Sequence, residues 1–238
     1  MRSVVIIPSR LNSVRLHEKP LILINGKSLI QRVYDQIKKC KNNIDCIVAT
    51  ESKKIYDHVK LFNGEVVITS DKHISGTDRC NEALELLNKS YDLVINVQGD
   101  EPIINPTLID ELINSFCLKS DQILTPAKKT NDLKEINDQN IVKVDFDSKM
   151  NAVKFYRKNK TSGGFRHKHI GVYVFTPKTL KELCNLKPTK NEIDNKLEQL
   201  RWMDNNYKIK ILETSHNNLS IDTQEDLEEL LRKHSAEL

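Results

Sequence analysis

No apolar run in the 238 residues approaches the length of a membrane span. The five cysteines (Cys40, Cys46, Cys80, Cys117 and Cys184) are scattered, odd in number and without a C-x-x-C pair. That spacing speaks against zinc ribbons and disulfide frameworks and for reduced thiols in a cytoplasmic protein. No dense basic block stands out: the net charge is +4, with Lys and Arg spread along the chain. That pattern does not suggest nucleic acid and is compatible with a small anionic substrate. No G-x-G-x-x-G follows the first apolar segment, so a dinucleotide dehydrogenase has no direct support. Gly26-Lys27-Ser28 looks like the end of a P-loop, but Leu21 stands where that motif needs its first glycine, so Asn25-Gly26 is read as a turn. Repeats, low-complexity tracts and linkers are also lacking. The opening Met1-Arg-Ser-Val-Val-Ile-Ile-Pro8 is expected to be a first strand and not a signal peptide.

What is present is the composition of a globular protein, with 38% hydrophobic and 29% charged residues. The stretch that organises the chain is Asp92-Leu-Val-Ile-Asn-Val-Gln-Gly-Asp-Glu-Pro102. Leu93 to Val97 reads as a short buried strand. It gives way abruptly to a polar, doubly acidic turn. Two carboxylates at the carboxyl end of a buried strand are costly without a partner, and that end is where open α/β sheets bind ligands. The stretch therefore admits a magnesium site beside a nucleotide or a solvated acidic turn.

Alternation organises the first half. Strands are predicted at Val4–Ile7, Cys46–Thr50, Glu65–Thr69 and from Asp92. Helices are predicted from Ser28 as cap, over Ser52–Leu61, Thr77–Leu87 and Thr107–Phe116. Four strand–helix alternations predict a doubly wound, mostly parallel sheet with helices on both faces. The second half is less regular. Strands are expected at 122–125, 141–144 and 208–212, with 152–156 and 169–175 forming an antiparallel pair. A helix is expected over 192–204, and a last helix after a capping box Asp222-Thr-Gln-Glu225. The expectation is one α/β domain over residues 1–238 with a small antiparallel extension.

Chemistry-bearing residues fall in the connections. Arg10, Arg15 and Lys19 follow the first strand, the usual phosphate-binding position. Their mutual repulsion would be relieved by a triphosphate, or the loop is simply solvated. Ser75-Gly-Thr-Asp-Arg79 opens a helix whose amides and hydroxyls can meet a phosphate or a base edge, or else only begin the helix. Arg166-His167-Lys168-His169 places two histidines on one side of a strand; without a third ligand nearby, zinc is not the reading, and a histidine touching an anionic substrate competes with a surface histidine. Asp222 is either a helix cap or a partner of Asp100.

Taken together, these pieces resemble the 3-deoxy-manno-octulosonate (Kdo) cytidylyltransferases. The resemblance rests on Ile6-Ile-Pro-Ser-Arg10, Arg15-Leu16, Lys19-Pro-Leu21, Asn25-Gly-Lys27, Ser75-Gly-Thr-Asp-Arg79 and Val97-Gln-Gly-Asp-Glu-Pro102. It continues through Val142-Lys-Val144, Lys168-His-Ile-Gly171, Leu197-Glu-Gln-Leu-Arg201 and Ile221-Asp-Thr223. These stretches occur in the family's order over nearly the whole chain. The resemblance implies a fold of the nucleotide-diphospho-sugar transferase type. It implies transfer of CMP from CTP to the anomeric hydroxyl of the sugar acid, for lipopolysaccharide biosynthesis in the cytoplasm. It implies that Arg10, Arg15 and Lys19 hold the triphosphate, with Ser75, Arg79 and Gln98 at the nucleotide. Asp100 and Asp222 would coordinate Mg²⁺ and, with Lys19, be catalytic. Arg157, His169, Tyr173, Glu198 and Gln199 would line the sugar pocket. A homodimer is implied, with residues 140–206 as its sugar-binding and dimerisation sub-region. The departures lie on the sugar side: Tyr156-Arg157 is followed by Lys158-Asn-Lys-Thr161, the segment to Lys168 is short, and Asn195 replaces a glutamate. An 8-amino octulosonate or another acidic sugar therefore competes with Kdo as the acceptor. An enzyme acting on sugar phosphates and a non-catalytic nucleotide-binding protein would share the same fold.

Overall fold

The computed structural model describes residues 1–12, 15–158 and 164–233. The chain begins with β1 (Ser3–Ser9), a single 3-10 turn (Lys19–Leu21), the short strands β2 (Leu23–Ile24) and β3 (Lys27–Ser28), and α1 (Leu29–Ile37). There follow β4 (Ile44–Thr50), α2 (Lys53–Leu61), β5 (Val66–Ile68), α3 (Gly76–Leu86), β6 (Leu93–Asn96) and α4 (Pro106–Ser115). Next come β7 (Ile123–Thr130), α5 (Leu133–Asn137), β8 (Lys143–Phe146), β9 (Ala152–Tyr156), β10 (Arg166–His169) and β11 (Tyr173–Phe175). The chain continues through α6 (Pro177–Cys184), α7 (Lys190–Asn195), α8 (Glu198–Asp204), β12 (Ile209–Thr214) and α9 (Gln224–Lys233). It divides into two compact units, Met1–Glu111 with Asn217–Leu238, and Leu112–His216.

In the first unit the strand order is β5-β4-β1-β6, all parallel. Every residue of β1 is buried, as a near-continuous apolar run in the middle of a parallel sheet should be. Successive strands step outward from β1 to β5, and then β6 pairs on the other side of β1. The order reverses between β1 and β6, and that reversal opens a crevice at their carboxyl ends. The helices start as their caps dictate: the hydroxyls of Ser28, Ser52 and Ser75 accept from the amides of Gln31, Ile55 and Asp78. Asn25 and Gly26 both take positive φ and close the β2–β3 hairpin as the turn expected of them.

The second unit is built around β7. Strand β12 runs parallel along one edge, and β10 and β11 lie antiparallel on the other. The sheet continues through β8 to β9, both antiparallel. This is the α/β class with an antiparallel extension that the pattern predicts; the helices α5 and α6 were not expected, and three further details differ. Residues 152–156 pair with β8 and not with 169–175, because Asp147 caps a tight turn through Met150 and Asn151 and brings adjacent segments together. The expected strand 169–175 is two strands, since the Val172 amide donates to the Ile170 carbonyl at 2.7 Å and turns the chain at Gly171. The expected helix 192–204 is interrupted at Lys196, which adopts a left-handed conformation and ends α7. Of the short segment after Arg157, residues 159–163 lie outside the described residues.

Candidate active site

The crevice of the first unit is floored by Pro8. A side chain on Gly99 would stand 3.1 Å from the Pro8 carbonyl oxygen, and one on Gly76 would stand 3.2 Å from the Pro8 ring. The turn after β6 and the start of α3 thus approach the end of β1 closely, with little room for a side chain at either glycine. The resulting cleft has a volume of about 380 Å³ and is lined by Arg10, Arg15, Lys19, Arg79, Gln98 and Asp100, among others. Every position in that group was expected at the nucleotide or its metal.

Lys19 forms the hub. Its Nζ donates to Asp100 Oδ2 at 2.8 Å and to Asp222 Oδ1 at 2.9 Å. Arg15 reaches the other oxygen of Asp222 at 3.1 Å. Burial alone would lower the Lys19 pKa, but the two carboxylates more than offset it and raise the pKa above its ordinary value. The ammonium is thus charged at physiological pH.

Residues so far apart in sequence meet through an apolar cluster. Leu16, Ile24, Leu29, Ile103, Ile221 and Leu230 pack together, nearly all fully buried. Leu16 lies three residues from Lys19, Ile103 three from Asp100, and Ile221 immediately before Asp222. Each such side chain contributes about 1.5–3 kcal/mol on burial, so the cluster assembles the charged groups as it forms. The Ile221 amide then donates to the Asp100 carbonyl at 2.9 Å.

Asp222 is not the cap of the last helix. Thr223 accepts from the Asp226 amide at 3.2 Å, and the Asp226 carboxylate accepts from the amides of Asp222 and Thr223. The capping box sits one residue later than expected and leaves the Asp222 carboxylate for Lys19 and Arg15. The acidic turn likewise separates its two charges. Asp100 faces the cleft, while Glu101 is buried and accepts from the Asn218 amide group at 3.2 Å on both oxygens.

The converging pair Asp100 and Asp222 fits Mg²⁺, which is bound through one or two carboxylates plus substrate phosphates and water. A single ammonium between them already shows that the pair accommodates positive charge.

On the other wall, Arg79 is 1% exposed and ion-pairs with Glu51 at 2.9 Å. It also donates to Thr69 Oγ1 at 2.5 Å and to the Ser70 carbonyl. Glu51 in turn accepts from the Leu11 amide at 3.0 Å, fastening the loop after β1. Exposed Arg10 donates to the Ile74 carbonyl at 2.6 Å, and His73 pairs with Glu82. The Ser75 hydroxyl is committed to the α3 capping box with Asp78. Gln98 Nε2 donates to Asn96 Oδ1 at 3.0 Å, which fixes its amide. Sequence reasoning missed Glu51 and Thr69, which lie just past or at the end of strands and carry no motif.

The second unit gathers a different group. His169 packs edge-on to Phe155 and tilted against Tyr173, with ring centroids 5.1 and 5.4 Å apart. Tyr173 meets Trp202 of α8 at 4.9 Å, and burial, with Glu198 adding to it, pushes its phenol pKa well up. Gln199 is buried on the same helix, and Glu198 pairs with Arg201 at 3.2 Å. Burial pushes the His169 pKa down to about 3, so its imidazole is neutral. Arg157 donates to the Asn140 carbonyl at 2.8 Å. The fully buried Lys143 holds the Arg157 carbonyl at 3.1 Å. His167 pairs with Glu213 at 3.5 Å and lies tilted against Phe146. No group of three or more metal-binding side chains occurs among the described residues, and no described helix is long and apolar enough to cross a membrane.

Comparison with known proteins agrees with this architecture. A family model described as "Cytidylyltransferase" matches residues 4–211. The 3-deoxy-manno-octulosonate cytidylyltransferase of Parabacteroides distasonis is 39% identical over 97% of both chains. The 8-amino-3,8-dideoxy-manno-octulosonate cytidylyltransferase of a Shewanella species is 38% identical over 99% of this chain and all of its own. A solved structure of CMP:2-keto-3-deoxy-manno-octonic acid synthetase complexed with CTP superposes with a TM-score of 0.91 over the whole of both chains, at 29% identity. The fold and the match thus define a class, the cytidylyltransferases. Within it, the chain belongs to the 3-deoxy-manno-octulosonate cytidylyltransferase family.

Proposed function

We propose that the chain activates a free 3-deoxy-manno-octulosonate with CTP, giving the CMP-sugar and pyrophosphate for lipopolysaccharide biosynthesis. The observation that carries this reading is the meeting of Lys19, Asp100 and Asp222 in one cleft, in a chain whose relatives bear that name. The anomeric oxygen forms a bond to the α-phosphorus, the bond to the β-phosphate oxygen breaks, and the hydroxyl proton leaves to solvent or a base. Such a step depends on positioning and charge neutralisation. Arg10 and Arg15 hold the triphosphate, and Lys19 supplies a fixed cation beside it. Arg79, Ser75 and Gln98 shape the nucleotide wall. Asp100 and Asp222 would hold Mg²⁺, which when bound would neutralise phosphate charge. Arg157, His169, Tyr173, Glu198 and Gln199 receive the sugar acid.

The test is pyrophosphate release with CTP and Mg²⁺ against a panel of free sugar acids. Kdo is expected to support turnover, whereas sugar phosphates and CTP alone are not. The Shewanella relative, 38% identical to this chain, supports a second reading in which the acceptor is the 8-amino octulosonate, so that compound belongs in the panel. Silence with every acid would overturn both readings. All five cysteines are free, which supports a cytoplasmic enzyme. We also propose a homodimer: sedimentation at micromolar concentration should give about twice the chain mass of 27.5 kDa, and a species of single-chain mass would refute it.

A further inference from the structure

The wall behind His169 contains a hydroxyl that decides what the imidazole can bind. Thr125 lies on β7 and is fully buried. Its Oγ1 stands 2.7 Å from the Val172 carbonyl, 3.3 Å from the Ile170 carbonyl and 2.9 Å from His169 Nε2. The turn at Gly171 brings both carbonyls round this one oxygen. A hydroxyl has one proton, and carbonyl oxygens only accept. An oxygen–oxygen approach of 2.7 Å is a hydrogen bond only with a proton between the two atoms, so the Thr125 proton lies toward Val172. The remaining contact therefore runs the other way, with His169 Nε2–H donating to Thr125. In a neutral ring Nδ1 then carries the lone pair.

We propose that Thr125 is a positioning residue that holds His169 as the Nε2–H tautomer, so that Nδ1 reads a donor on the acceptor sugar, a hydroxyl or an ammonium, and not its carboxylate. The inference rests on the reading of His169 as a sugar-pocket residue. It assigns His169 to discrimination among hydroxyl and amino substituents and leaves the carboxylate to the cationic groups of the site. The burial that keeps the ring neutral supports the same assignment, because a neutral acceptor and a carboxylate repel.

The experiment is ¹⁵N NMR of the full chain labelled at histidine, with His169→Gln to assign the resonance. Wild type is expected to show an Nε2–H tautomer for His169, unchanged between about pH 5 and 8. Thr125→Ser should keep that signature and Thr125→Val should lose it, with thermal unfolding run alongside to show that each variant is folded. An Nδ1–H tautomer or a titrating imidazolium in wild type would overturn the lock. Kinetics then test what the lock is for. Thr125→Val should raise KM for the sugar acid about tenfold, the worth of one good hydrogen bond, with KM for CTP unchanged and Thr125→Ser near wild type. The gap should persist for an acceptor whose carboxylate is replaced by a neutral alcohol and should vanish for one lacking the hydroxyl that His169 reads. If the gap instead vanishes with the carboxylate, His169 reads the acid and the proposal fails. If the tautomer is as expected but no sugar acid reacts, the lock stands and it is the functional reading that falls.

Discussion

Asp100→Asn is expected to lower kcat by about 10²–10³, the usual cost of one charge contact made at the reacting phosphate, while the chain stays folded. The substitution keeps the side chain's shape and keeps an oxygen for Lys19 Nζ, now 2.8 Å away. What it removes is half of the negative charge that Lys19 and the proposed Mg²⁺ share with Asp222. Raising Mg²⁺ should recover part of the loss, because the remaining carboxylate binds the ion more weakly. Asp100 is partly exposed, and the apolar cluster that assembles the site does not include it, so the unfolding midpoint should move little. Steady-state kinetics with Mg²⁺ titration, beside thermal unfolding, make the check. Near-normal turnover in Asp100→Asn would remove the centre of the proposed reaction.

Glu51→Ala acts on stability first. Arg79 is almost wholly buried, and Glu51 is its carboxylate. Burial already presses the guanidinium toward a lower pKa against the pull of Glu51. Removing the partner of a buried charge costs about 3–5 kcal/mol; with Glu51 itself partly exposed, the lower end applies. A loss near 3 kcal/mol corresponds to a fall in Tm of roughly 6–12 °C for a chain of this size. The same substitution frees the Leu11 amide, so KM for CTP should rise as the loop carrying Arg10 and Arg15 loosens. A double-mutant cycle with Arg79→Met separates the causes. The two substitutions together should cost less than their separate losses added, with a coupling of roughly 0.5–3 kcal/mol. Strict additivity would mean that the pair does not act as a unit.

The contrast between these two carboxylates shows what the sequence makes legible. Asp100 announces itself because a polar acidic turn interrupts an apolar strand, and the alternation of elements places that turn at the ligand-binding edge. Arg10, Arg15 and Lys19 follow by the same logic. Glu51 offers no such signal: it stands just past the end of β4 in no motif, and its worth comes from Leu11 and Arg79, distant neighbours that only the folded chain supplies. Asp222 was ambiguous for a local reason. Asp222 and Thr223 are both competent caps, and the choice fell to Thr223 because Asp226 completes a box with it. The break at Lys196 was invisible to periodicity, which registers apolar spacing and not a single residue's φ. The pairing of β9 with β8 reflects a four-residue turn at Asp147 that outcompetes a longer-range partner. His169 stands out by motif, but its contacts with Thr125 and the aromatic rings come only from the fold.

The first unit is discontinuous, with Leu112–His216 intervening before the segment that carries Ile221 and Asp222. Synthesis on the ribosome runs from the amino end, so Lys19 and Asp100 emerge long before their third partner. Until residue 222 clears the exit tunnel, Lys19 has one carboxylate where the finished chain has two, and the Asp100 carbonyl lacks the Ile221 amide. The charge balance of the cleft is thus completed only after the entire intervening unit has been made, so the order of translation delays assembly of the nucleotide site in a nascent chain that has yet to complete its other half.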